Sequence, residues 1–161
     1  MSKIEAKIAA MGLVLPPPLK APEGVVLPFA MVVVHGDRAI VSGHGPQNDD
    51  GTVAGPFGKI GGDISVAEGR ELASKTALSI LSSLQRELGD LDRIAGWGRV
   101  FGMVNCTPDF ELTPMVINGF SDLILELFGP DVGRHARSAV GMAALPFSIG
   151  VEIEADVFIR N

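Results

Sequence analysis

Arg137, Glu152 and Glu154 are the residues whose types and spacing could do chemistry together. An arginine fork is permanently charged and binds a carboxylate through two parallel hydrogen bonds. A glutamate can take a proton from water and return one to a leaving group, work worth roughly a hundred- to ten-thousandfold in rate. A plain ion pair on an exposed strand, worth about 0–1 kcal/mol, is the competing reading. From spacing alone that reading is the more economical.

What could bring these residues together is a strand pair. Ile149, Val151, Ile153, Ala155, Val157 and Ile159 fall on one face of an alternating run, with Glu152, Glu154 and Asp156 on the other. A period of two with β-branched residues on one side marks a half-buried strand. Ser138–Met142 reads as a shorter strand, with a turn near Leu145-Pro146. Antiparallel pairing across that turn would set Arg137 opposite Glu152 or Glu154, within about two residues.

Other reactive types are weaker candidates. His35, His44 and His135 lack metal-ligand spacing, so no metal is expected. His44 follows Ser42-Gly43 at a strand end and fits either a cleft wall or a hydrogen-bonded structural role. His135 is expected to tie down the loop before Arg137. Cys106 has no sequence-adjacent base and reads as a small buried hydrophobe. Asn118 and Asp122, one helical turn apart, suit a solvent stripe or a cleft wall equally. The Gly55–Gly62 segment fails as a phosphate loop, because no Ser or Thr follows Lys59, and reads as a flexible surface loop.

The remaining elements follow from period and punctuation. Ile4–Met11 predicts a short helix that Pro16-Pro17-Pro18 stops. Met31–His35 and Arg38–Gly43 predict a hairpin around Gly36-Asp37. Ser65-Val-Ala-Glu68 is a capping box opening a long helix, Val66–Leu88, that Gly89 ends. Ile94–Cys106 predicts a strand in which Gly96, Gly98 and Gly102 mark bulges or close backbone approach. Thr113 as cap and Pro114 at the first position start a helix running to Phe128. The order implies an α+β domain, a mixed β-sheet with both main helices on one face.

Composition narrows the function classes. The chain has 161 residues, 47% of them hydrophobic and 20% charged, which suits one soluble globular domain. A net charge of -6 argues against a nucleic-acid partner. The single cysteine fits a reducing compartment, and no apolar run approaches the roughly 20 residues of a membrane span. The short Met11–Leu15 run lacks a cleavage site, so a cytoplasmic setting is expected.

Val41-Ser-Gly43 with Pro46, His135-Ala-Arg-Ser-Ala-Val140, Leu145-Pro146 and Val151-Glu-Ile-Glu154, in this element order, resemble the RidA (YjgF-like, endoribonuclease L-PSP) family. The resemblance covers about Phe29–Ile159 and divides the chain into a 1–28 helix and proline-rich extension and a 29–161 RidA-like domain. It implies a chorismate-mutase-like fold, a homotrimer with clefts between subunits, and no cofactor. It also implies hydrolysis of reactive 2-imino or enamine acids to 2-keto acids and ammonia. Arg137 then matches the arginine that grips the substrate carboxylate, and Glu152 the glutamate that positions the attacking water. Gly43 lines the cleft with its backbone, and Asn118 matches a helix asparagine there. Phe29 stands where the deaminating branch has a tyrosine, and Ala139 where it usually has a cysteine. Two alternatives are a non-catalytic trimer binding small carboxylate metabolites and the endoribonuclease of the family label. Glu154 and Asp156 would be solvated or line the trimer lumen.

Overall fold

In the computed structural model, which describes residues 2–160, the elements are α1 (Lys3–Ala10), β1 (Val32–His35), β2 (Arg38–His44), α2 (Val66–Leu88), β3 (Ile94–Asn105), α3 (Thr113–Val132), β4 (Ala136–Met142) and β5 (Val151–Ile159). Local signals explain most of the boundaries. At α2 the Glu68 amide donates to Ser65 Oγ at 3.2 Å, and the Ser65 amide donates to a Glu68 carboxylate oxygen at 2.8 Å. Gly89 closes the same helix in the left-handed conformation, at φ 79°, which costs a glycine nothing. A second capping box, Ser2 with Glu5, opens α1. At α3 the expected cap is absent. Leu112 holds the cap position, and Thr113 Oγ1 donates instead to the Ala139 carbonyl of β4 at 3.1 Å. Gly129 breaks α3 at φ 74°, one residue before Pro130, and the chain then resumes a last helical turn.

The sheet runs β1-β2-β5-β3-β4. β5 lies between β2 and β3 and is antiparallel to both, while β4 is parallel to β3 at the outer edge. This overturns the hairpin expected between β4 and β5. The connection from β3 to β4 is a helix, and a strand–helix–strand crossover returns the chain parallel. β5 instead pairs with β3 on its other edge, between β3 and β2.

One face of the sheet carries both main helices, as the single apolar stripes of the helices require. Val151, Ile153, Ala155, Val157 and Ile159 point under them, with Leu81, Leu84, Ile117, Phe120 and Ile124 fully buried against the sheet. Trp97 packs edge-on against Phe120 and Phe128, with ring centroids 5.6 and 5.9 Å apart. α1 joins the same core through Ile4 and Ile8. The other face is uncovered within the chain and carries Ile40, Phe158, Glu154 and Asp156.

Gly98 and Gly102 of β3 leave room for the chain's own neighbouring groups. Pairing with β5 is bulged between Ile94 and Gly96 and again between Trp97 and Val100. At Gly102 an added Cβ would lie 2.7 Å from Ile117 Cδ1. The close approach at Gly102 is therefore that of the Ile117 side chain of α3. Gly102→Ala should lower stability by about 1–3 kcal/mol through overpacking, read from denaturant unfolding. An unchanged midpoint would mean that Ile117 yields freely.

The Gly55–Gly62 segment is no flexible loop. Ile60 is fully buried, and its backbone bridges in parallel to Cys106 at the end of β3. Lys59 Nζ donates to Asn105 Oδ1, the Cys106 carbonyl and the Ala143 carbonyl, at 3.0, 3.3 and 2.7 Å. One buried isoleucine and a three-way lysine anchor turn a glycine-rich stretch into fixed structure.

Candidate functional site

Gly43 sits in a bulge. Between Val41 and His44, β2 advances three residues while β5 advances two, from Ala155 to Ile153. The extra residue turns the His44 side chain inward under α2 and leaves Gly43 beside Glu152. A Cβ built on Gly43 would collide with Glu152 Oε1, so only glycine lets the carboxylate lie there.

Glu152 is half-buried and lines a pocket of about 120 Å³ together with Leu27, Phe29, Met31, Phe147 and Ile149. Burial lifts its pKa above the ordinary carboxylate value, and the negative charge of Glu154 adds to the shift. No hydrogen bond opposes that shift. A carboxylate whose pKa is raised by apolar surroundings is a better proton acceptor than an ordinary one once ionised.

Arg137 occupies a different place. On β4 it pairs with Val100, whose side chain is buried under the helices, so Arg137 emerges on the helix side of the sheet. Its Nη1 donates to Asn118 Oδ1 and Ser121 Oγ, both at 2.9 Å, and Nη2 reaches the Pro114 carbonyl at 3.4 Å. Burial lowers its pKa and Asp122 acts in the opposite direction. Ser121 also meets His135 Nε2 at 2.9 Å, while His135 Nδ1 lies 2.7 Å from the Gly133 carbonyl. His135 therefore ties down the turn before Arg137, as expected. Asp122 pairs with Arg70 at the surface.

Glu152, by contrast, pairs with Met103 on the opposite, uncovered face. β3 stands between the two residues, so the expected juxtaposition of Arg137 with Glu152 or Glu154 does not occur within one chain. The five predicted site residues fall into two groups. Phe29, Gly43 and Glu152 share the pocket, whereas Asn118 and Arg137 share the outer edge of β4 and α3.

His44 is buried, with Nδ1 2.6 Å from the Ser42 carbonyl and Nε2 2.9 Å from Ser83 Oγ. Arg86 Nη2 donates to the same Ser83 oxygen at 2.9 Å. The Ser42 carbonyl fixes the proton on Nδ1, so Ser83 must donate to Nε2. Desolvation pulls the His44 pKa down to about 4, with the charge of Arg86 acting in the same direction. The unfolded chain therefore takes up a proton near pH 6.5 that the folded chain refuses until about 4. Stability should be complete above pH 6.5 and fall by up to about 3 kcal/mol as pH drops to 4. His44→Gln should flatten that slope in urea melts across this range. A slope as steep as wild type would place its origin elsewhere.

Sequence reading named Phe29, Gly43 and His44 as possible cleft residues but did not anticipate this chain of bonds or the rest of the pocket's walls. Leu19 and Leu27, from the proline-rich segment, line it, and Phe147 lines it from a left-handed backbone at φ 56°. Two consecutive non-glycine residues at positive φ, Phe147 and Ser148, leave no local signature beyond their place after Leu145-Pro146. Among the described residues, no group of three or more His, Cys, Asp and Glu is arranged to hold a metal. No helix there is long and apolar enough to cross a membrane.

Residues 5–151 match a family model described as "YjgF/chorismate mutase-like, putative endoribonuclease". Protein TCP17 of Trypanosoma cruzi is 39% identical over 159 residues, covering 99% of this chain and 96% of that protein. Among solved structures, the protein Atu1372 of Agrobacterium tumefaciens, described as of unknown function, aligns with a TM-score of 0.86. It is 36% identical, with 98% of this chain and 92% of that one covered. A "putative endoribonuclease" of Shewanella oneidensis aligns with a TM-score of 0.87 at 26% identity, covering 98% and 100%.

Proposed function

The chain belongs to the YjgF/chorismate-mutase-like family, and we propose on that premise that it hydrolyses 2-imino acids at a cleft between two copies of itself. The observation that carries this reading is Glu152, a half-buried carboxylate with a raised pKa held against Gly43 in an apolar pocket. The separation of Arg137 from Glu152 supports the shared cleft. A substrate carboxylate on Arg137 and a water on Glu152 can meet one molecule only if the edge of β4 faces the pocket of another copy. The uncovered sheet face, with Ile40 and Phe158 exposed, supplies apolar surface for such an assembly. The family resemblance suggests three copies.

In the reaction, Arg137 holds the carboxylate and Asn118 holds the guanidinium in place. Glu152 takes a proton from water as its oxygen bonds to C2, and the imine nitrogen receives that proton. Glu152 then moves the proton of the new hydroxyl to the amine. The C–N bond breaks, ammonia leaves and the 2-keto acid remains, with Glu152 again a carboxylate. Water, substrate and one side chain balance every atom.

Ammonia release from 2-imino acids, generated in situ by an amino-acid oxidase, tests the reading. Acceleration above the spontaneous rate is expected, together with a light-scattering mass three times that of the 16.9 kDa chain. Saturable keto-acid binding without acceleration would instead make the protein a carboxylate binder, and a monomer mass would remove the shared cleft. The endoribonuclease named in the family description gains no electrostatic support from a chain of net charge -6, since binding a phosphate backbone calls for a basic face.

A further inference from the structure

The proline-rich segment before β1 brings Leu19 and Leu27 to the pocket that holds Glu152. Three successive prolines offer carbonyls but no amide donors, so the segment can be fixed only by donors from elsewhere. The fold provides them. Ser82 Oγ and Arg86 Nη1 donate to the Pro16 carbonyl, the latter at 3.2 Å, and Gln47 Nε2 donates to the Pro17 carbonyl at 3.2 Å. The Lys20 amide then donates to the Gly51 carbonyl at 2.9 Å. Pro16 and Gln47 are themselves buried. The segment is thus a strap clamped from Pro16 to Lys20, which holds Leu19 in the pocket wall, and Leu27 lines the same pocket further along the chain.

Phe147, Ile149, Phe29 and Met31 complete the apolar lining. The only ionisable groups on the lining are Glu152 and His44, whose ring nitrogens are both taken up by the Ser42 carbonyl and Ser83 Oγ. The cavity measures about 120 Å³. A dry apolar cavity of roughly 150 Å³ accommodates benzene, so this one suits a smaller, aliphatic group.

We propose that Leu19 of the strap and Leu27 beyond it make this pocket selective for an aliphatic side chain of about four carbons on the 2-imino or 2-keto acid. The inference rests on the reading of the Glu152 pocket as the substrate site, and adds which substrates it prefers. Each buried methylene is worth about fourfold in affinity, so three carbons beyond a methyl group should favour the larger ligand by at least tenfold.

Calorimetric titration of the full chain with 4-methyl-2-oxopentanoate and with pyruvate tests it. The branched acid is expected to bind at least about tenfold more tightly. In Leu19→Ser/Leu27→Ser the two acids should come within about threefold of each other. Leu27→Ser alone, at an exposed position, should narrow the gap about fourfold and guards against a misfolded double variant. Equal binding of both acids by wild type, a gap the variants leave intact, or no binding of either at millimolar concentration overturns the proposal. Imine turnover is scored separately in the same preparations. Its absence with the tenfold gap intact removes the hydrolase and leaves the selectivity standing, while turnover without a gap does the reverse.

Discussion

Arg137→Ala is expected to abolish carboxylate binding and turnover together, with affinity falling by at least about thirtyfold. Removing one partner of a hydrogen-bonded charge pair costs about 2 kcal/mol or more, because the other charge loses its only partner in a partly dehydrated site. Arg137→Lys should restore little, since an ammonium cannot present two parallel donors to a carboxylate. The loss must not be a folding defect. Arg137 also braces Asn118 and Ser121, so a thermal melt accompanies each variant. Keto-acid titration of a folded Arg137→Ala that still binds normally would sink the assignment.

Glu152→Gln should lower turnover at least about a hundredfold while keto-acid affinity stays within a few-fold, because shape is retained and basicity is lost. Stability should move the other way. The folded-state pKa of Glu152 lies above its unfolded value, so the native chain binds the extra proton. As pH rises from the ordinary glutamate value through the folded one, ionising the buried group costs stability. Glutamine never ionises, so the variant should be at least as stable as wild type at neutral pH. Wild-type activity should also rise with pH through that raised pKa. Normal turnover by a folded Glu152→Gln would make Glu152 structural.

The two variants can be combined. If each cleft takes Arg137 from one copy and Glu152 from another, co-expressing Arg137→Ala with Glu152→Gln should rebuild intact clefts. With random assembly, roughly a quarter of the sites would carry both native residues. No recovery from demonstrably mixed assemblies would remove the cleft shared between copies.

Much of this molecule could be read from neighbouring residues alone. The helix limits at Ser65–Glu68 and Gly89, the hairpin turn at Gly36-Asp37 and the alternation of β5 each depend on contacts within a few residues. The same proximity shows which face of β5 is buried, and so that both helices share one side of the sheet. The motif around Arg137 and the Glu152 strand pointed to the family before any coordinates. Strand partners are another matter. Whether β4 meets β5 or β3 is decided by the crossover through α3, and no run of residues encodes that locally. Face assignment followed from it. Arg137 lies with Val100 under the helices and Glu152 with Met103 on the bare side, so two residues 15 apart in sequence cannot share a site within one copy. Tertiary contacts also decided the strap, the seat of Lys59 and the inward turn of His44. In each, a buried polar group had to find a partner far along the chain, and only the packed structure brings that partner within reach.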